Sequence, residues 1–174
     1  MMGKRSNFER VERDFYPTPG PAVLPLLPHL APATSFIEPC AGDGALVRHL
    51  QEAGHYCARA SDIAPRHDSV VELDAFQIGK TLANCIITNP PWDRKVLHPL
   101  IRHLSALAPT WLLFDADWMH TRQSADLVKG CSKIVSIGRV KWIPDSKMTG
   151  KDNCCWYLFE SGHVEGPHFY GRTK

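Results

Sequence analysis

Asn89-Pro90-Pro91-Trp92 packs a side-chain carbonyl, a main-chain carbonyl and a large aromatic surface into four consecutive residues. Asn89 and the Pro90 carbonyl can each accept a hydrogen from one NH2 group and so fix its nitrogen. Trp92 offers a flat face on which a planar group can stack, a contact worth about 1–3 kcal/mol for a nucleobase. A bare strand terminator does not call for this set. Asp62, about twenty residues after a glycine turn, is placed to accept both hydroxyls of a ribose if it ends a strand. Asp74, followed by Phe76, suits an adenine amino group with its ring resting on an apolar side chain. Taken singly, Asp62 and Asp74 also read as ordinary turn aspartates.

The elements that must position these residues follow from the hydrophobic period. Strand-like and helix-like segments alternate, the pattern of a parallel sheet with helices packed on it. A strand is expected over 35–40, followed by Ala41-Gly42-Asp43-Gly44 and a helix whose Leu46, Val47 and Leu50 share a face. Gly42 and Gly44 would let the backbone approach a ligand closely, while Pro39 and Cys40 exclude the full G-x-G-x-x-G fingerprint. Further strands are expected over 56–61 and 70–73, and a continuous buried one over 84–88 is stopped by the two prolines. Val96, Leu97, Leu100, Ile101, Leu104 and Leu107 keep the i, i+3, i+4 spacing of an amphipathic helix. A strand over 111–114, a helix over 121–129 and a final hairpin of strands 133–143 and 153–160 complete the reading, with a polar turn over 144–150. Prolines allow only a short helix near the start, over 21–27, with Val23, Leu26 and Leu27 turned inward.

Composition narrows the class. With 174 residues, 44% apolar and 22% charged, the chain reads as one globular domain, 1–174, without an internal linker or repeat. No apolar run approaches the roughly 20 residues that cross a bilayer. The first sixteen residues are charged where an export signal would be apolar, so a cytoplasmic protein is expected. Six cysteines without a C-x-x-C pair and nine histidines without H-x-x-x-H spacing give no support for a metal site. Most of the cysteines read as small buried hydrophobes. Adjacent Cys154 and Cys155 would face opposite sides of a strand, which opposes a disulfide between them.

Charge is distributed unevenly. The formal net charge is +2, yet Lys129, Lys133, Arg139, Lys141, Lys147 and Lys151 stand against Asp145 alone and give that stretch +5. Trp142 before the turn and Trp156 after it interleave aromatic surface with Lys141, Lys147 and Lys151, a composition that suits a flipped or single-stranded base beside phosphates. The bland alternative is that both tryptophans belong to the core of the hairpin and the lysines form its solvated edge. Asp115 and Asp117 are expected to organise a strand end and a helix start, with Trp118 packing near the substrate.

In their order, these pieces resemble the class I S-adenosylmethionine-dependent methyltransferases, and within them the amino-methyltransferases that modify adenine N6. Asp14-Phe15-Tyr16-Pro17-Thr18-Pro19 is similar to the family's amino-terminal cofactor-contacting segment, and Glu38-Pro39-Cys40-Ala41-Gly42-Asp43-Gly44 to its glycine-rich loop. Ser61-Asp62-Ile63 resembles its ribose-binding acid, Asp74-Ala75-Phe76 its adenine contact and Asn89-Pro90-Pro91-Trp92 its catalytic tetrapeptide, where Tyr or Phe is more usual than Trp. The succession matches the arrangement called gamma. The resemblance implies a Rossmann-like α/β sandwich with a mostly parallel seven-stranded sheet and an antiparallel terminal hairpin. It implies an amino-terminal cofactor-contacting segment over 1–32 and a mobile loop over 144–152, while the chain departs from the family in that no separate target-recognition domain is expected in it. S-adenosylmethionine is the implied cofactor, held by Tyr16, Pro17, Thr18, Glu38, Pro39, Cys40, Ala41, Gly42, Gly44, Asp62, Ile63, Asp74, Ala75, Phe76 and Asn89. Asn89, Pro90, Pro91 and Trp92 would be catalytic, and Trp92, Lys141, Trp142, Lys147 and Lys151 would bind substrate. The expected reaction is methylation of adenine N6 in DNA. The alternatives are the same chemistry on RNA adenine or a protein glutamine, and a non-enzymatic nucleic-acid-binding role on the same scaffold.

Overall fold

Ser35–Glu38 (β1), Cys85–Thr88 (β4) and Thr110–Asp115 (β5) are almost entirely buried, so both faces of the sheet they form must be covered. In the computed structural model, which describes residues 15–147 and 149–173, they pair in parallel at the centre of an eight-stranded sheet. Tyr56–Asp62 (β2) and Val71–Glu72 (β3) extend it in parallel on one side. On the other side lie Asn153–Phe159 (β7), antiparallel to β5, then Cys131–Arg139 (β6), antiparallel to β7, and His168–Tyr170 (β8), parallel to β6. The spatial order is β3-β2-β1-β4-β5-β7-β6-β8.

Each face has its own core. Gly20–Val23 (α1) and Ala45–Glu52 (α2) cover one, burying Val23, Leu26, Leu46 and Leu50 against Phe36, Ile87, Leu113 and Trp156. Arg94–Ser105 (α3) and Ala125–Lys129 (α4) cover the other, where Leu97, Leu100, Ile101 and Leu104 meet Ile86, Leu112 and Tyr157. Asp93 caps α3 by accepting the Lys95 amide at 3.0 Å, which starts the helix directly after the proline pair.

Several expected boundaries shift. β8 is an eighth strand beyond the expected seven; three residues of mixed polarity after Gly166-Pro167 carry no period of their own, and the pairing with β6 is what makes them a strand. The strand expected over 133–143 begins at Cys131 and stops at Arg139, because Gly138 takes φ +77° beside a register shift that bends the chain out of the ladder. The helix expected over 121–129 is a 3-10 turn, Arg122–Ser124, followed by the short α4. The early helix expected over 21–27 is α1 plus a 3-10 turn at Leu27–His29, since Pro25 and Pro28 interrupt the ladder. The strand over 70–73 contracts to two edge residues.

Candidate active site

The carboxyl ends of β1, β2 and β4 converge, and the residues singled out by their chemistry sit there. Beyond β1, Gly42 and Gly44 adopt φ +54° and +76°, the left-handed region that a side chain disfavours. The Gly44 amide closes the turn on the Ala41 carbonyl at 2.7 Å, and the Asp43 carboxylate accepts the Ala45 amide at 3.0 Å to start α2. From the end of β2, Asp62 grips this loop: its Oδ2 accepts the Gly42 amide at 2.9 Å and its Oδ1 the Ala64 amide at 2.8 Å. Asp62 is therefore a structural anchor of the loop, with the remaining lone pairs of its carboxylate available to a ligand. Asp74 caps the short 3-10 helix Ala75–Gln77 by accepting the Phe76 amide at 2.9 Å; Ala75 is buried, while Phe76 and Ile63 are exposed at the same rim.

Glu38 is a buried acid at the end of β1. It is 2% exposed, and among the described residues its Oε2 has no hydrogen-bond partner. Burial, reinforced by the nearby Asp62 and Asp43 charges, pushes its carboxyl well above the usual carboxylate range, against a backbone hydrogen bond from Val47. A buried acceptor without a donor costs stability unless something fills the place. Glu38 lines a cavity of about 20 Å³ together with Tyr16, Pro17, Thr18, Cys40, Ala41 and Asn89. Asn89 and the glycine loop thus share one cavity instead of being walled apart.

That cavity holds little more than a water, and Phe15 is among the residues that line it. Its ring lies so close to Gly42 that a Cβ there would collide with it, and the Arg66 guanidinium covers the ring at 4.1 Å from its centroid. Phe15 belongs to the amino-terminal segment quoted above but not to the expected cofactor-binding set, and Arg66 carries no local signal in the sequence. Asp14, of the same segment, lies outside the described residues. Cys40 is half-buried with its thiol pushed up to about 12, chiefly by burial, so it stays protonated and is no nucleophile.

At the end of β4 the tetrapeptide forms a connected cluster. Pro90 is buried, and Asn89, Pro91 and Trp92 are half-buried. The Asn89 Nδ2 donates to Thr18 Oγ1 at 3.3 Å, and the Trp92 indole N–H donates to Asn89 Oδ1 at 3.4 Å and to the Leu113 carbonyl at 3.2 Å. Trp142 meets Trp92 edge to face, with centroids 5.8 Å apart and planes at 78°, and lies 6.4 Å from Tyr16. The expected substrate aromatics therefore lie together, though crossed and not parallel.

Trp156 and Trp118 belong to the core. Trp156 is fully buried, with its N–H donating to the Ala22 carbonyl at 2.8 Å. Trp118, expected near the substrate, packs instead against Phe114, Tyr157 and Phe159 and donates to His98 Nε2 at 2.9 Å. Asp115 does organise the strand end, accepting the Asp117 amide at 3.0 Å. Lys141, Lys147 and Lys151 are exposed around the β6–β7 turn, where Met148 lies outside the described residues. Arg172 is a further exposed cation on this side of the sheet: β8 runs parallel to β6, and the Arg172 guanidinium lies against Gly138, where a Cβ would be 2.9 Å from Nη1. A separate open groove of about 450 Å³, lined by Arg48, Arg59 and His67 outside α2 and β2, includes Gly44 alone of the expected site residues. Among the described residues no three metal-ligating side chains gather, and no helix is long and apolar enough to cross a membrane.

The residues present fit S-adenosylmethionine: an orphaned buried carboxylate for a cationic end, a loop whose glycines leave room for close approach, and acids at the next two strand ends. No family model and no curated protein matches the chain. Solved structures do. A protein from Pyrococcus horikoshii named as a candidate RNA methyltransferase superposes with a TM-score of 0.68 at 15% identity, over 88% of this chain and 90% of that one. A dimethyladenosine transferase from Plasmodium falciparum gives 0.54 at 14% identity, over 84% and 62%. A type I restriction-modification methyltransferase subunit from Streptococcus thermophilus gives 0.58 at 7% identity over 88% of this chain, which spans only 46% of that subunit's length. At these identities the likeness speaks to architecture, and the chain has the α/β fold of the class I S-adenosylmethionine-dependent methyltransferases, enlarged by β8.

Proposed function

We propose that the protein transfers a methyl group from S-adenosylmethionine to the exocyclic N6 of adenine in DNA. The single observation that supports this best is that Asn89 and Glu38 line one cavity, which puts an amine-fixing group beside the cofactor cradle. When bound, the cofactor supplies an already activated sulfonium methyl. The rest falls to this chain's residues. Glu38 receives the cationic end, Asp62 and Asp74 the ribose hydroxyls and adenine amine, and Tyr16, Pro17 and Thr18 cover the ligand once Phe15 has moved off Gly42. Asn89 Oδ1 and the Pro90 carbonyl accept the two hydrogens of the target amine and aim its lone pair, so catalysis is mostly positioning and stabilisation of the charge arriving on nitrogen. Trp92 stacks on a base flipped from the duplex and offsets part of the few kcal/mol of unstacking. Lys141, Lys147, Lys151 and Arg172 hold phosphates beside the β6–β7 turn, where the Gly150 amide donates to the Val140 carbonyl at 2.8 Å.

The same chemistry on RNA adenine is the second reading, favoured by a structural neighbour named for RNA and another named for dimethyladenosine. Incubation with methyl-labelled cofactor and unmethylated DNA or RNA, followed by nuclease digestion, tests both. Label in adenosine from DNA is expected; label only in RNA selects the second reading, and label in neither at any salt concentration refutes the function.

A further inference from the structure

An asparagine side chain is nearly symmetric in shape, and it can aim at a target amine only if its oxygen, not its NH2, faces the slot. Nothing in Asn89 itself makes that choice. Thr18 Oγ1, 3.3 Å from Nδ2, cannot make it either, since a hydroxyl both donates and accepts. The indole N–H of Trp92 can, because it is a donor only. It is anchored independently of Asn89 by the Leu113 carbonyl at 3.2 Å, in β5, so the asparagine atom that faces it at 3.4 Å must be oxygen. The crossed Trp142 ring, itself 6.4 Å from Tyr16, lies edge to face with Trp92 at 5.8 Å.

We infer that Trp92 is a positioning residue: its N–H fixes the amide of Asn89 with Oδ1 turned toward the acceptor slot, one lone pair on the indole and the other left for the incoming amine. This rests on the methyl-transfer reading above and gives a reason for tryptophan here. Phenylalanine has no such donor, and the hydroxyl of tyrosine, able to accept as well as donate, would not select the oxygen. The opposite account of the same contact is a brake, in which the indole competes with the amine for Oδ1 and its removal speeds the reaction. The two differ in sign.

The test is Trp92→Phe, which keeps a smaller aromatic face for stacking and removes the N–H with the pyrrole half of the indole, so the Asn89 amide is read directly beside the rate. The expected result is a fall in kcat of about tenfold, the equivalent of one hydrogen bond, with cofactor affinity unchanged. In parallel, the side-chain NH2 resonances of Asn89, followed by NMR with no cofactor or substrate present, should form one sharp pair in the wild type and shift or broaden in the variant. A kcat equal to or above that of the wild type, or Asn89 resonances that do not change, overturns the inference. Should the wild-type protein methylate no nucleic acid, the functional reading fails by itself, and the Asn89 resonances alone decide whether Trp92 fixes the amide.

Discussion

Replacing Glu38 with glutamine should weaken cofactor binding while making the ligand-free protein more tolerant of rising pH. The side chain is 2% exposed, one of its oxygens has no partner among the described residues, and burial raises its pKa. With the folded-state value above the unfolded one, the folded protein holds the extra proton. Stability is then full below the ordinary glutamate range and declines as pH rises toward the raised value, with a limiting slope of about 1.4 kcal/mol per pH unit. Glutamine removes that decline. Binding runs the other way: a cationic ligand end prefers the carboxylate, so affinity should climb with pH across the same window, up to about tenfold per unit, and a proton should leave on binding. Losing a charge-assisted hydrogen bond of about 1.5–3 kcal/mol corresponds to roughly 10- to 150-fold weaker binding in Glu38→Gln. Isothermal titration of S-adenosylmethionine in two buffers of different ionisation enthalpy measures both quantities. Equal affinity in the two proteins, with no proton released by the wild type, would refute the role assigned to Glu38.

Other perturbations follow from single contacts. Asp62→Ala removes the acceptor of the Gly42 and Ala64 amides, so cofactor affinity and thermal stability should fall together, the latter by about 2 kcal/mol; a loss of affinity with an unchanged melting temperature would show that the loop does not depend on that carboxylate. His98 accepts the buried Trp118 N–H through Nε2, and burial, with Arg94 and Arg102 nearby, lowers its pKa. Stability from this contact is therefore full above the ordinary histidine range and is lost progressively as pH falls from there through the lowered value. His98→Gln, which keeps a neutral acceptor, should flatten that acid decline in melting experiments, and an unaltered decline counts against the contact. Arg172→Gln should reduce the slope of log K against log salt for duplex DNA by about 0.9, with kcat unchanged; an identical slope would remove Arg172 from the phosphate surface.

The site was legible where its signals were local. Glycines at positive φ, prolines after a strand and aspartates at strand ends announce themselves within a few residues, and all lie at the carboxyl rim where the sequence put them. Contacts set by distant pairing were not legible. Phe15 over Gly42, Trp142 across Trp92 and Arg172 against Gly138 depend on which strands lie side by side, and no local pattern carries that. Trp142 and Trp156 have the same residue type near the same turn, yet one faces the rim and the other is held to Ala22 in the core, because β7 is buried on both faces whereas Trp142 follows the bulge that ends β6. β8 went unseen because three residues of mixed polarity become a strand only through their neighbour.

The central claim, that Asn89 fixes an adenine amine beside the cofactor cradle, is tested most directly by nucleoside mass spectrometry of DNA from cells expressing either the wild type or Asn89→Ala. N6-methyladenine should appear with the wild type and drop by about 100-fold or more in the variant, while purified Asn89→Ala loses far less in cofactor affinity than in turnover. Equal levels of N6-methyladenine in the two, or a methyl group on a different nucleoside, would contradict it.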